Sequence, residues 1–281
     1  MSREKKKENI SKRAILSIIF FVSLGVLIFS GYKLIRYKLE SDETNAEITA
    51  LEGIAEITEI DDSTSTNDEI SSACQISENP DCALYWKYLN TPLIDVNLAA
   101  LKAENSDTVG WLQVLGTNVN YPFVQTADNR YYLYHSFNHS YNSGGWVFLD
   151  YRNNKSLTDK NSIIYAHGRL DNTMFGSLRK LLTSDWISNP ENFLLRTKTE
   201  NSSELWQVFS IYIIPTTSDY LQTSFYNDAT AEAFFKTLKS RSTYNFNTSV
   251  SGSDRILTLS TCYDDSRRLV IHAKLLKSRE S

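Results

Sequence analysis

The sequence predicts a mainly β domain in which about eight short strands close into a barrel, with helices at its periphery. Apolar runs of strand length recur along the C-terminal two thirds of the chain and are separated by turn residues, a spacing typical of closed or nearly closed barrels. The 281 residues, 41% of them hydrophobic, are enough for one real core. The predicted strands are Val109–Val114, Val119–Val124, Trp146–Leu149, Ser162–Tyr165, Phe193–Leu195, Leu205–Ile214, Arg255–Cys262 and Leu269–Leu276.

Helical segments are predicted around these strands. Tyr85–Leu89 and Val96–Leu101 indicate a helical lead-in before the first strand, and Met174–Leu182 indicates a helix later in the chain. A further helix over Ala229–Lys239 follows from apolar residues at helical spacing, and it lies in the long insertion before the last two strands. We therefore expect a single domain over residues 84–279.

The charge is distributed unevenly along the chain. Residues 1–38 hold nine Lys or Arg and two Asp or Glu, whereas the remaining residues hold 20 basic and 31 acidic side chains. Phosphate binding needs a clustered basic surface, so a body this acidic predicts no nucleic-acid partner.

The N-terminus carries an uncharged apolar segment, Ala14–Gly31, which is near the lower length limit for a membrane-spanning helix. Basic residues precede it, so we expect a cytoplasmic tail at residues 1–13, an anchor at 14–32 and an exported body. The alternative is a cleaved signal peptide, but no small-residue cleavage site follows the apolar segment. The basic residues of the tail are Arg3, Lys5, Lys6, Lys7, Lys12 and Arg13.

Residues 33–83 are predicted to be an acidic extracellular spacer, since residues 41–72 are rich in Glu, Asp, Ser and Thr; a weak helix over Ile48–Ile60 is the alternative there. Cys74 and Cys82 lie eight residues apart in it. Outside the membrane they are candidates for a disulfide, and two unpaired thiols are the alternative. Neither has a CxxC partner or nearby histidines, so we predict no zinc site and no cofactor.

Three residues have the chemistry of a thiol acyl-transfer site. Cys262 ends one predicted strand, His167 ends another, and Arg268 opens the last. A thiolate attacks an amide carbonyl, histidine protonates the leaving amine, and arginine hydrogen-bonds the negative oxygen of the intermediate. Strand alternation places Cys262 and His167 on the outer wall of the barrel, and it places Arg268, rather than Arg267, on the same face as Cys262.

These residues stand in motifs that resemble those of class B sortases, membrane-anchored cysteine transpeptidases of Gram-positive bacteria. The TLxTC signature is matched by Thr258–Cys262 and the histidine motif by Tyr165–Gly168, with Arg268 following in order. The resemblance extends from about Leu84 to Lys277. It implies a sortase-type barrel with a helix-bearing insertion, here Ile214–Arg255, before the cysteine strand.

The resemblance also implies a reaction and its partners. Cys262 would be the nucleophile, His167 the general acid/base and Arg268 the oxyanion partner. The enzyme would cleave surface proteins after the threonine of a C-terminal NPxTx-like sorting motif and transfer them to an amine of a lipid-linked peptidoglycan precursor. The substrate groove would be formed by Asn129, Leu133, Tyr165, Thr216, Tyr220, Leu221 and Ser260.

Other functions remain open at this stage. A pilus-type sortase would use a lysine acceptor, but the sequence lacks that class's Asp-Pro-aromatic lid and C-terminal membrane segment. A non-catalytic surface scaffold on the same fold is disfavoured by the intact Cys262, His167 and Arg268. Simple hydrolysis is a further alternative, because sequence does not show the acceptor. The short link between Cys262 and Arg268 leaves little room for a helix, which leaves the finer substrate preference open.

Overall fold

The computed structural model describes residues 2–60 and 80–281, with side chains described for residues 14–60 and 84–281. Its centre is a closed barrel of eight strands, as the sequence predicts. The strands of the described residues are β1 (Thr58–Ile60), β2 (Leu93–Asp95), β3 (Thr108–Val114), β4 (Asn120–Val124), β5 (Phe148–Leu149), β6 (Asn161–Tyr165), β7 (Leu194–Thr199), β8 (Ser202–Pro215), β9 (Ile256–Cys262) and β10 (Arg267–Glu280).

The barrel runs in the order β10-β8-β7-β3-β4-β5-β6-β9 and closes between β9 and β10. Two of its pairs are parallel, β4 with β5 and β6 with β9, and the others are antiparallel. The parallel β6–β9 pair matters most for function, because both strands end at the same edge of the barrel.

Side chains alternate across the barrel wall as the last two strands predict. Leu259 and Ile271 belong to the main core inside the barrel, whereas Ile256 and Val270 belong to a second cluster that includes residues of the insertion. Because successive side chains of a strand point to opposite sides, each of these strands has an inner face in the core and an outer face that the helix of the insertion covers.

The helices of the described residues are α1 (Ser2–Ala55), α2 (Pro80–Leu89), α3 (Leu98–Glu104), α4 (Ser184–Ile187) and α5 (Asp228–Ser240), with 3-10 turns at Tyr131–Leu133, Gly176–Leu182 and Pro190–Phe193. The insertion helix α5 agrees with the prediction to within one residue at each end. Asn227 caps it, with its side chain accepting from the backbone N–H of Thr230 while the Thr230 hydroxyl accepts from the backbone N–H of Asn227. Phe235 and Leu238 bury the inner face of this helix.

The predicted α-helix over Met174–Leu182 is a 3-10 helix that begins at Gly176. Met174 has a φ of 50°, so its backbone is left-handed and cannot start a right-handed helix. Gly176 approaches Arg169 so closely that a Cβ there would lie 2.0 Å from the Arg169 carbonyl oxygen. This packing fixes the turn and delays the start of the helix.

The compact unit that contains the barrel begins at Thr44, 40 residues before the predicted boundary at 84. Leu51 and Ala55 of α1 are buried in the main core, and β1 pairs antiparallel with β2. The structure therefore does not have the predicted solvated spacer over Thr44–Ile60; the alternative, a helix from Ile48, is found as far as Ala55. Because Leu51 and Ala55 stand four residues apart, they lie on the same face of α1.

Residues 1–43 form a separate unit. From Ala14, α1 is long and apolar enough to cross a membrane, and its large apolar side chains, Phe20 and Ile28 among them, are exposed. Cys74 and the side chain of Cys82 lie outside the described residues, so their pairing stays a prediction.

Candidate active site

The predicted nucleophile and histidine lie at the carboxyl ends of two neighbouring strands. The parallel register pairs Tyr165 of β6 with Ser260 of β9. Cys262 follows Ser260 by two residues and His167 follows Tyr165 by two, so the two side chains come level at one edge of the barrel. Cys262 is half-buried and its thiol is free.

Two neighbours of these residues hold the strand ends together. The Thr261 hydroxyl donates to the carbonyl oxygen of Ala166 at 2.8 Å, which joins the cysteine strand to the histidine strand. Gly168 lies so close to the cysteine that a Cβ there would stand 2.1 Å from the Cys262 carbonyl oxygen. Thr261, before the cysteine, and Gly168, after the histidine, therefore both allow the two motifs to lie close together.

Arg179 of the 3-10 helix Gly176–Leu182 connects the loops that follow the two motifs. Its guanidinium donates to the carbonyl oxygen of Gly168 at 3.2 Å and to that of Tyr263 at 2.8 Å. The same guanidinium lies 5.7 Å from the centre of the Tyr263 ring. Sequence reasoning missed this contact, since no local pattern relates Arg179 to residues 84 positions away.

One hydrogen bond fixes the tautomer of His167. Its Nε2 lies 2.9 Å from the carbonyl oxygen of Leu133. A carbonyl oxygen only accepts, so Nε2 must carry the hydrogen. Nδ1 is then the ring nitrogen that gains or loses a proton when the imidazole changes charge.

Arg268 stands directly opposite Cys262 in the antiparallel pairing of β9 with β10, which confirms the predicted register. Arg267 points elsewhere: it is exposed, its Nε donates to Asp264 Oδ2 at 2.7 Å, and its guanidinium lies 5.0 Å from the centre of the Tyr263 ring. The carboxylate of Asp264 therefore holds Arg267, whereas Arg268 pairs with Cys262 across the two strands and lines the same cavity as Cys262.

A single groove of about 350 Å³ joins all ten residues singled out from the sequence. Sequence reasoning did not assign four further lining residues to the groove. Phe148 packs against Tyr165 with ring centres 5.4 Å apart, and it had been assigned only to a strand. The full lining is Asn129, Leu133, Phe148, Tyr165, Ala166, His167, Thr216, Thr217, Tyr220, Leu221, Ser260, Thr261, Cys262 and Arg268.

Comparison with known proteins agrees with this geometry. Residues 112–276 match the sortase domain family. Sortase B of Listeria monocytogenes is 37% identical over 183 residues, which cover 64% of this chain and 74% of that protein. The chain belongs to the sortase family, class B.

Solved structures extend the likeness to three dimensions. The crystal structure of Bacillus anthracis sortase B in complex with AAEK1 superposes with a TM-score of 0.67 at 28% identity, covering 85% of this chain and 99% of that one. A Staphylococcus aureus sortase B–substrate complex superposes with a TM-score of 0.60 at 34% identity, covering 64% and 84%. The barrel of this sortase is therefore shared with enzymes of the same class.

The loop after β8 forms one wall of the sortase groove. The Tyr220 hydroxyl lies 2.9 Å from Ser260 Oγ, and the side chain is buried against the second cluster. Burial raises the pKa of Tyr220, so it is a neutral phenol that can donate a hydrogen bond. Thr216 ties the start of the loop to the turn before Arg268, since its N–H and hydroxyl both donate to the Ser266 carbonyl oxygen, at 2.9 and 3.1 Å.

Proposed function

We propose that this sortase cleaves a C-terminal sorting motif after its threonine and transfers the new carboxyl end to an amine. The observation that supports this most is the shared groove: Cys262, His167 and Arg268 line it together with every side chain expected to contact the peptide. A thiol, an imidazole and a guanidinium in one peptide-sized groove are suited to acyl transfer.

The reaction has two acyl-transfer steps. The Cys262 thiolate adds to the carbonyl carbon of the threonine, and Arg268 hydrogen-bonds the resulting oxyanion. The amide C–N bond then breaks as His167 gives the Nδ1 proton to the departing amine, which leaves a thioester on Cys262. An incoming amine transfers a proton back to His167, attacks the thioester and releases the thiolate, so that one amide bond is broken and one is formed.

The partners follow from the class and from the N-terminal helix. The donors are surface proteins that carry a C-terminal motif of the Asn-Pro-x-Thr kind, and the acceptor is the amine of a lipid-linked peptidoglycan precursor. An apolar helix preceded by basic residues anchors the enzyme with its N-terminus in the cytoplasm and its barrel outside. Substrate and acceptor would then meet at the outer membrane surface.

The test is a peptide assay with the full chain in detergent micelles. A peptide library of sorting motifs is incubated with and without amines, and mass spectrometry identifies the bond cleaved and the amine joined. Cys262→Ala should abolish cleavage while circular dichroism stays unchanged, because a half-buried thiol contributes little packing. Turnover by Cys262→Ala would reject the nucleophile, and cleavage without amine transfer would make the protein a hydrolase.

A further inference from the structure

A buried carboxylate stands behind the groove without lining it. Asp150 directly follows β5 and is fully buried. Burial alone would raise its pKa, but hydrogen bonds from the Arg152 side chain, the Arg152 backbone N–H and the Tyr165 hydroxyl hold the pKa of Asp150 below its ordinary value. The group is therefore an ionised carboxylate, which a protein interior accepts only when partners surround it.

Both oxygens of this carboxylate are used. Oδ2 accepts from Asn129 Nδ2 at 3.0 Å, from the Tyr165 hydroxyl at 2.9 Å and from Arg152 Nη2 at 2.7 Å. Oδ1 accepts from the Arg152 backbone N–H at 3.0 Å and from Arg152 Nε at 2.8 Å. Only a carboxylate can accept hydrogen bonds with both of its terminal atoms. The amide of an asparagine at this position would point its NH2 group at donors whichever way the amide is turned.

These bonds reach three separate segments of the groove wall. Asn129 and Tyr165 line the groove and bond the carboxylate directly. The amide of Asn129 is fixed at its other end too, because its Oδ1 accepts from the Tyr151 backbone N–H at 3.0 Å. Arg152 carries the link to the third segment, since its Nη2 also donates to the Leu221 carbonyl oxygen at 3.1 Å.

We propose that Asp150 is the positioning residue of the substrate groove and that it sets the spacing at which the walls at residues 129, 165 and 221 grip the sorting peptide. The proposal rests on the function proposed above. Asp150 acts through its neighbours and touches no reacting atom. The arginine neutralises its charge, so its contribution is geometry: it fixes the rotamers of the groove side chains before the peptide arrives.

The test compares Asp150→Asn with wild type in the full chain, using fluorescent Asn-Pro-x-Thr peptides and variants with single alanines in the motif. We expect KM to rise about tenfold or more, the range for losing hydrogen bonds to a charged group, while kcat changes less than about threefold. Discrimination between the motif and its alanine variants should shrink. The alkylation rate of Cys262, followed by mass spectrometry, should not change.

A matched control comes from a second buried carboxylate. Glu204 is buried, and it accepts from Arg255 Nη2 at 2.6 Å, outside the groove. Glu204→Gln should lower stability with KM and motif discrimination as in wild type. If both variants raise KM equally, or if Asp150→Asn lowers kcat alone, Asp150 has no positioning role.

Binding separates this proposal from the proposed function. Fluorescence anisotropy of the same peptide is measured with Cys262→Ala and with Cys262→Ala/Asp150→Asn, neither of which needs turnover. Weaker binding by the double variant supports the positioning role even if the wild-type protein cleaves none of the peptides, an outcome that would reject only the proposed function. Equal binding by the two variants overturns the positioning role whatever the cleavage result.

Discussion

Replacing Gly168 by alanine tests how closely the motifs of the proposed nucleophile Cys262 and the proposed acid/base His167 must approach. The new Cβ would lie 2.1 Å from the Cys262 carbonyl oxygen, whereas ordinary contact begins at 3.4 Å. The backbone of Gly168 is not left-handed, so glycine is required there only because a Cβ would have no space. Either the histidine loop or the end of β9 must move by roughly 1 Å, and a displacement of that size costs about a hundredfold in rate when it separates reacting groups.

The stability cost of Gly168→Ala should be about 1–3 kcal/mol, the usual range for overpacking. Urea unfolding measures it, and peptide cleavage measures the rate. Gly252 supplies the matched control, because a Cβ there would lie 1.9 Å from the Asp228 carbonyl oxygen, outside the groove. Gly252→Ala should lose similar stability with its specific activity intact. If Gly168→Ala keeps the wild-type rate, or if both variants lose rate equally, the close approach is not what catalysis requires.

Two further predictions concern the last strand. Arg268→Lys should lose about a hundredfold or more in cleavage rate, because lysine lacks the planar guanidinium that hydrogen-bonds an oxyanion. Arg267→Ala should cleave at nearly the wild-type rate. The reverse ranking in a side-by-side assay would make Arg267 the oxyanion partner. Burial, and to a lesser extent the positive charge of Arg241, lowers the pKa of His272 from 6.5 to about 3. As the pH falls below about 6.5, His272 is therefore protonated in the unfolded chain but stays neutral in the folded chain. The free energy of unfolding should therefore fall by about 1.4 kcal/mol for each pH unit as the pH is lowered from about 6 to about 4. Urea unfolding of His272→Gln at a series of pH values should lack this component. A pH dependence identical to that of the wild type would show that His272 is not its source.

Alternation and motif spacing were sufficient to predict the barrel and the register of its last strands. Leu269 and Ile271 had to face the core, and that placed Arg268 on the same outer face as Cys262; the structure pairs the two residues directly. The insertion helix was equally accessible, because its apolar positions repeat at helical spacing. Each strand and helix behind these inferences shows its pattern within a short stretch of consecutive residues.

Features that depend on distant contacts were not accessible in the same way. The acidic composition before residue 60 concealed Leu51 and Ala55, which pack on the barrel. Asp150 directly follows an apolar run, and nothing local showed that it bonds Asn129, 21 positions earlier. The predicted strand from Trp146 shortens to Phe148–Leu149, because the Trp146 backbone N–H donates to the Tyr132 carbonyl oxygen, outside the sheet, at 2.9 Å.

The parallel pairing of β6 with β9 has a consequence for how activity arises during folding. Ala166 and Thr261, which join the two motifs, are 95 residues apart in the chain, so their contact closes a long loop. Parallel pairings at such separation form slowly, after local hairpins and helices. A partly folded chain thus holds the thiol without its imidazole and cannot cleave peptides. The rate at which activity returns during refolding therefore reports the rate of barrel closure, and activity should return later than secondary structure.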